Sequence, residues 1–223
     1  EYLKQISDAV HNVGGIFVLD CVASGALWVD MQVTGVDVLL SAPQKGWSSS
    51  PCSGLVMLSE IANDLIKKTQ SNSYVCDLLK WYQIMESYEN GGHAYHTTMP
   101  TDSLAQFRDT LIETEQYGLE KTRQEQIDLG NSVRNLLESR NFESVATKGF
   151  QAPSVIVSYT EDPNIKSGKA FVEQGLQIAA GVPLECDEGE NFLTFRIGLF
   201  GLDKLHNLER TVSNLSTALD AIV

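Results

Sequence analysis

The sequence predicts an α/β protein in two units, and three observations carry the prediction. Short, unbroken apolar runs, "IFVLD", "VDVLLS" and "GLVMLS", recur early in the chain with helical spacing around them. A long helical stretch follows, with Gly118 near its middle. After Phe142 the pattern changes to a second group of strands closed by an amphipathic helix.

Taken in order, Leu3, Ile6, Val10 and Val13 have helical spacing that ends at the pair Gly14–Gly15, a glycine stop. The three apolar runs read as strands buried on both faces, which points to a mostly parallel sheet. A helix is predicted from about Glu60, and Gly91, Gly92 and Pro100 mark a loop. Thr101, Asp102 and Ser103 offer N-caps for the long segment carrying Leu104, Phe107, Leu111, Ile127, Val133, Leu136 and Leu137. Gly118 marks a bend or a boundary, between residues 1–117 and a smaller α/β unit at 118–223. There, "SVIVSYT", "LQIAAG" and "FLTFRIGLF" read as strands, with a short helix around Ala170. Leu205, Leu208, Val212, Leu215, Leu219 and Ile222 then share one face of a closing helix.

The 223 residues are 43% apolar and 20% charged, the composition of an ordinary soluble globular protein. A net charge of −13 argues against nucleic acid or an anionic membrane as partner. No apolar run approaches the ~20 residues of a membrane span. Cys21, Cys52, Cys76 and Cys186 lie far apart without C-x-x-C spacing, so neither a disulfide framework nor a zinc site is expected. A reducing compartment, the cytoplasm, is the default. The chain opens at Glu1, without methionine and inside a helical pattern, and is expected to begin partway through a longer protein.

In open parallel sheets ligands gather at the carboxyl ends of strands, where Asp20 and Lys45 fall. Asp20 alone reads as a turn or cap residue. Lys45 is more informative. It lies in a compact loop with Pro43, Gln44, Gly46 and Trp47, and a partly desolvated lysine becomes a usable amine nucleophile. An aspartate at one strand exit and a lysine at the next together suggest pyridoxal phosphate, which needs a Schiff-base lysine and an acid for its pyridine nitrogen.

The stretch "VLDCVASGALWVDMQVTGVDVLLSAPQKGW" resembles the core of class V aminotransferases of the alanine–glyoxylate and serine–pyruvate branch. "AYHTTMP", "FRIGLFG" and the helical "SLAQFRDTLIETEQYGLEKTRQEQ" resemble three further segments of that branch, in order. The resemblance spans essentially the whole chain. It implies the type I pyridoxal-phosphate transferase fold, here the C-terminal half of the large, mainly parallel-sheet domain plus the small α/β domain. The implied activity is amino transfer between alanine or serine and glyoxylate or pyruvate. Lys45 would be the Schiff-base lysine, Asp20 the partner of the pyridine nitrogen, Val22 a ring-packing residue and Gln44 a hydrogen-bonding neighbour. Tyr95 and Thr98 would reach the cofactor phosphate from the neighbouring subunit of a homodimer. Arg196 would hold the substrate α-carboxylate by a bidentate pair. His93 reads as a loop histidine without chemical duty, and the same reading is open for His96. Trp28 and Trp47 read as packing residues.

Nothing here resembles the first half of that family's large domain, which carries the glycine-containing loop and helix start around the phosphate. Activity is therefore expected only from a longer chain. A cysteine desulfurase of the same fold is the alternative enzyme. Cys186, ten positions before Arg196, would be its thiol. Against it stand Gln44–Lys45, where desulfurases resemble a His-Lys pair, and flanks without a small-residue run. A dimerising structural fragment without cofactor is the non-enzyme reading.

Overall fold

The structure is a computed structural model and describes residues 1–189 and 191–223. The chain divides into two compact units: residues 1–21, 29–43 and 50–106, and residues 22–28, 44–49 and 107–223.

The first unit opens with α1 (Tyr2–His11), which Gly14 ends in the left-handed region at φ 73°. Then come β1 (Val18–Asp20), α2 (Met31–Thr34), β2 (Val38–Ser41), β3 (Leu55–Leu58), α3 (Glu60–Ile66) and α4 (Leu78–Glu89). The sheet order is β1-β2-β3; β1 and β2 are parallel, and β3 returns antiparallel to β2. Both predicted strand exits exist, but β1 is not buried on both faces. Among the described residues β2 is its one hydrogen-bonded neighbour, and Val18 is 52% exposed. Cys21, Val36 and Leu39 form the small core, with Phe17, Leu19, Val29 and Met31 packed on it. The α3 start follows the capping rule, since the Ser59 hydroxyl accepts the Ala62 N–H at 3.2 Å.

A buried carboxylate ties this unit together. Asp37, 2% exposed, lies just before β2. Its Oδ2 accepts from the Phe17 N–H at 2.9 Å and lies 2.7 Å from His11 Nε2, while Oδ1 accepts the Ser59 hydroxyl at 3.2 Å. Ser7, fully buried, donates to the Gly35 carbonyl at 2.8 Å. Gly35 has φ 73°, and a Cβ there would come 2.3 Å from Ser7 Oγ. Burial alone would push the Asp37 carboxyl up. The hydrogen bonds of His11, Phe17 and Ser59, with the His11 charge, outweigh burial and hold it below the usual carboxylate range.

The second unit is built on α5 (Thr101–Tyr117), whose residues up to Gln106 group with the other unit, and α6 (Leu119–Ser139). Gly118, at φ 108°, joins them, so the predicted bend is present. The predicted caps are displaced: Thr101, Asp102 and Ser103 form the first helical turn, because Pro100 already accepts the Leu104 N–H. Asp102 there suits the positive helix end. Next come β4 (Val155–Tyr159), α7 (Pro163–Lys166), α8 (Lys169–Glu173), β5 (Ala179–Ala180) and β6 (Thr194–Gly198). α9 (Leu202–His206) and α10 (Leu208–Ile222) close the chain. The strand order is β4-β6-β5, antiparallel throughout, with β6 central. "LQIAAG" contributes only the two residues of β5. The single closing helix expected is two, so Leu205 lies on α9 while Leu215 and Leu219 bury the face of α10. Leu129, Val133 and Leu137 of α6 meet Phe195, Ile156, Phe171 and Leu219 in one core. Phe142 stands edge-on to Phe195 at 5.2 Å.

Because the folded Asp37 carboxyl lies below its unfolded value, it adds stability above the unfolded value and loses it as pH falls through the folded one. Urea unfolding should therefore show stability dropping below ~pH 4. Asp37→Asn should cost about 2 kcal/mol at neutral pH, the scale of hydrogen bonds to a charged group, and should flatten that acid limb. An unchanged acid limb in the variant would reject the assignment.

Candidate active site

Asp20 is the last residue of β1, exposed, and stands opposite Leu40 in the parallel register. The chain leaves β2 through Ala42 and Pro43, both buried, and turns through Gln44 to Trp47. That turn groups with the second unit, as does the segment 22–28 that follows Asp20.

Glycines set how closely those two segments pack. A Cβ on Gly46 would fall 2.2 Å from the Gly25 carbonyl oxygen, so Lys45 is followed by the one residue that permits this approach. Gly25 itself has φ 66°, and a Cβ on it would lie 2.5 Å from Gln126 Oε1. Lys45 is half-buried, and its Nζ lies 5.3 Å from the centre of the Phe200 ring. Among the described residues its ammonium forms no ion pair or hydrogen bond. Gln44 is exposed and Val22 half-buried. Farther along the turn, Ser48 takes φ 60° and its hydroxyl accepts the Leu202 N–H at 2.8 Å. The Trp47 ring lies tilted against Trp28 at 4.6 Å and meets Phe107 edge-on at 6.4 Å.

Gln126 was not singled out in the sequence, yet it organises this region. It is fully buried on α6. Its Oε1 accepts the Ala26 N–H at 3.3 Å, and its Nε2 donates to the carbonyls of Pro153 at 3.1 Å and Leu199 at 3.3 Å. Ser154 adds a bond from its hydroxyl to the Ala23 carbonyl at 2.8 Å. One side chain thus holds the segment after Asp20, the approach to β4 and the exit of β6.

Arg196 lies on β6 between Val157 and Ala179 of the flanking strands. Its neighbours Phe195 and Ile197 face the core, so alternation turns Arg196 to the other face. Nε donates to the Ala180 carbonyl at 2.9 Å. Among the described residues no carboxylate pairs with the guanidinium, whose terminal nitrogens remain available for an anion. Tyr95 and Thr98 belong to the first unit, in the irregular segment before α5, and their hydroxyls are 3.3 Å apart. Both are exposed, Tyr95 at 72%.

Cys186 is exposed in a loop with Glu185, Asp187 and Glu188. The backbone N–H groups of Cys186, Glu185 and Leu184 converge on the Glu188 carboxylate and hold it down at about 2. Among the described residues no cysteine forms a disulfide. Among the described residues no helix is long and apolar enough to cross a membrane.

A parallel strand pair with an acid closing one strand and a lysine turn leaving the next, followed by a small antiparallel α/β unit, defines the fold of the type I pyridoxal-phosphate-dependent transferases. The crystal structure of an alanine–glyoxylate aminotransferase from Nostoc sp. shares it at TM-score 0.80 and 21% identity, over 99% of this chain and 57% of that one. Alanine–glyoxylate aminotransferase 1 of Saccharomyces cerevisiae is 30% identical over 213 residues, 90% of this chain and 53% of the relative. The Oryctolagus cuniculus alanine–glyoxylate aminotransferase is 25% identical over 97% of this chain and 56% of its own length. No protein-family model matches. The chain belongs to the class V aminotransferases, in the alanine–glyoxylate aminotransferase branch, and spans about half the length of the curated relatives it matches.

Removing the Gln126 amide should loosen this whole region. Gln126→Leu leaves one N–H and two carbonyls without their buried partner, and is expected to cost about 3 kcal/mol, read as a lower urea midpoint at unchanged slope. A loss of only a few tenths would show that the amide does not organise these segments.

Proposed function

We propose that the protein carrying this chain is a pyridoxal-phosphate-dependent aminotransferase, moving an amino group between a small amino acid, alanine or serine, and a small 2-oxo acid, glyoxylate or pyruvate. The observation that carries this reading is the pair Lys45 and Arg196: among the described residues, an amine without an ion pair beside the Phe200 ring, and a guanidinium anchored at Nε without a paired carboxylate. A structural ion pair would have consumed one or the other.

The donor set fits pyridoxal phosphate: an amine for the aldehyde, a carboxylate for the pyridine nitrogen and hydroxyls for the phosphate. When bound, the cofactor supplies an electron sink for the carbanion at the substrate Cα. In this reading Lys45 would hold the cofactor through its amine and would carry a proton to and from the substrate Cα. Asp20 would pair with the ring nitrogen, Val22 would pack against the ring and Gln44 would hydrogen-bond nearby. Arg196 binds the α-carboxylate through its terminal nitrogens, the geometry its planar fork favours. Tyr95 and Thr98 serve the phosphate of a neighbouring copy, which makes the working unit a homodimer. Residues 1–117 would then belong to the large domain and 118–223 to the small one.

Borohydride reduction in the presence of pyridoxal phosphate, followed by peptide mapping, should place the phosphopyridoxyl group mainly on Lys45. Diffuse labelling of surface lysines would overturn the reading. In the active protein Lys45→Ala should abolish transamination, while Arg196→Ala should raise KM for the amino acid by about 100-fold, the ~3 kcal/mol of a charge-assisted pair. Normal turnover by Lys45→Ala would reject the assignment outright.

A further inference from the structure

We propose that His96 is a positioning residue, locking the loop that carries Tyr95 and Thr98 so that their hydroxyls are paired for a phosphoryl group before one arrives. The inference rests on the phosphate role given above to those two residues and deepens it.

The loop from Gly92 to Pro100 has no helix or strand to hold it. His96 replaces that support. Its ring stacks on Tyr74 at 4.1 Å and receives the Trp81 ring edge-on at 5.0 Å. Its Nε2 lies 3.2 Å from the Tyr74 carbonyl oxygen, and the Tyr74 hydroxyl donates to the His96 carbonyl. The Trp81 indole N–H in turn holds the Val75 carbonyl at 2.7 Å, fixing the Tyr74 turn to α4. The chain of support runs from a helix, through three rings, to the backbone between Tyr95 and Thr98. Those two are exposed, with hydroxyls 3.3 Å apart, close enough to meet oxygens of one phosphoryl group together. Two hydroxyls on an unbraced loop would lose freedom on binding, and bracing them beforehand removes that loss.

His96 touches the backbone and rings of its neighbours, so it acts through Tyr95 and Thr98. The test compares pyridoxal phosphate with pyridoxal, which lacks the phosphoryl group, by spectroscopic titration of the purified protein. His96→Ala should weaken pyridoxal phosphate binding about tenfold and leave pyridoxal affinity unchanged. Tyr74→Phe keeps the stack but loses one clasp bond, and should weaken it about threefold, which keeps the test open should His96→Ala not fold. In a Tyr95→Phe/Thr98→Ala background, His96→Ala should add nothing further. Equal loss for both ligands, or an additive loss in that background, overturns the positioning role alone. Unchanged pyridoxal phosphate affinity in Tyr95→Phe/Thr98→Ala overturns the phosphate reading, and the role of His96 with it.

Discussion

The second unit depends on one buried amide. Gln126 lies on α6, on the helix whose Leu129, Val133 and Leu137 form the core, so its position is fixed by apolar packing it does not itself provide. From there it satisfies three backbone groups on three segments far apart in sequence. Any of those groups left unpaired in a dry interior would be costly, which makes the arrangement close to all-or-none. Hydrophobic burial decides that these segments collapse together. The amide decides in which register they do so.

Asp37 performs the corresponding task in the first unit, with charge in place of an amide. The apolar core there is small, three buried residues and their neighbours, and cannot alone set the start of β2 against α1 and α3. A carboxylate accepting a backbone N–H and a hydroxyl, with an imidazole beside it, does so at the cost of acid sensitivity. Both units therefore use a polar knot to place the segments that lead to strand ends.

The strand exits and the bend at Gly118 were legible because apolar runs and a mid-helix glycine are local signals. The lysine loop was legible because Pro43 and Gly46 mark a turn between two apolar runs. Helix starts were less so: three cap-type residues at Thr101 to Ser103 competed, and Pro100 won by accepting the first helical bond. Gln126 and Asp37 left no signature at all. Each is an ordinary polar residue whose partners lie up to 100 positions away, a relation that spacing along one chain does not encode. The family resemblance supplied Tyr95, Thr98 and Arg196, which residue chemistry alone left as surface or packing groups.

The exit of β6 joins these threads. Arg196 is held by the strand's own alternation and by the Ala180 carbonyl. Four residues on, Phe200 presents its ring to Lys45, while Leu199 between them is pinned by the Gln126 amide and by its own N–H to the Ser154 carbonyl. The guanidinium and the ring beside the lysine are thus spaced by a single stretch of backbone anchored from two sides. A substitution that slipped β6 by one residue would turn Arg196 into the core and withdraw the ring as well. The strand's register therefore constrains the candidate site as well as the core, and the buried Phe195 and Ile197 enforce it from the opposite face of β6.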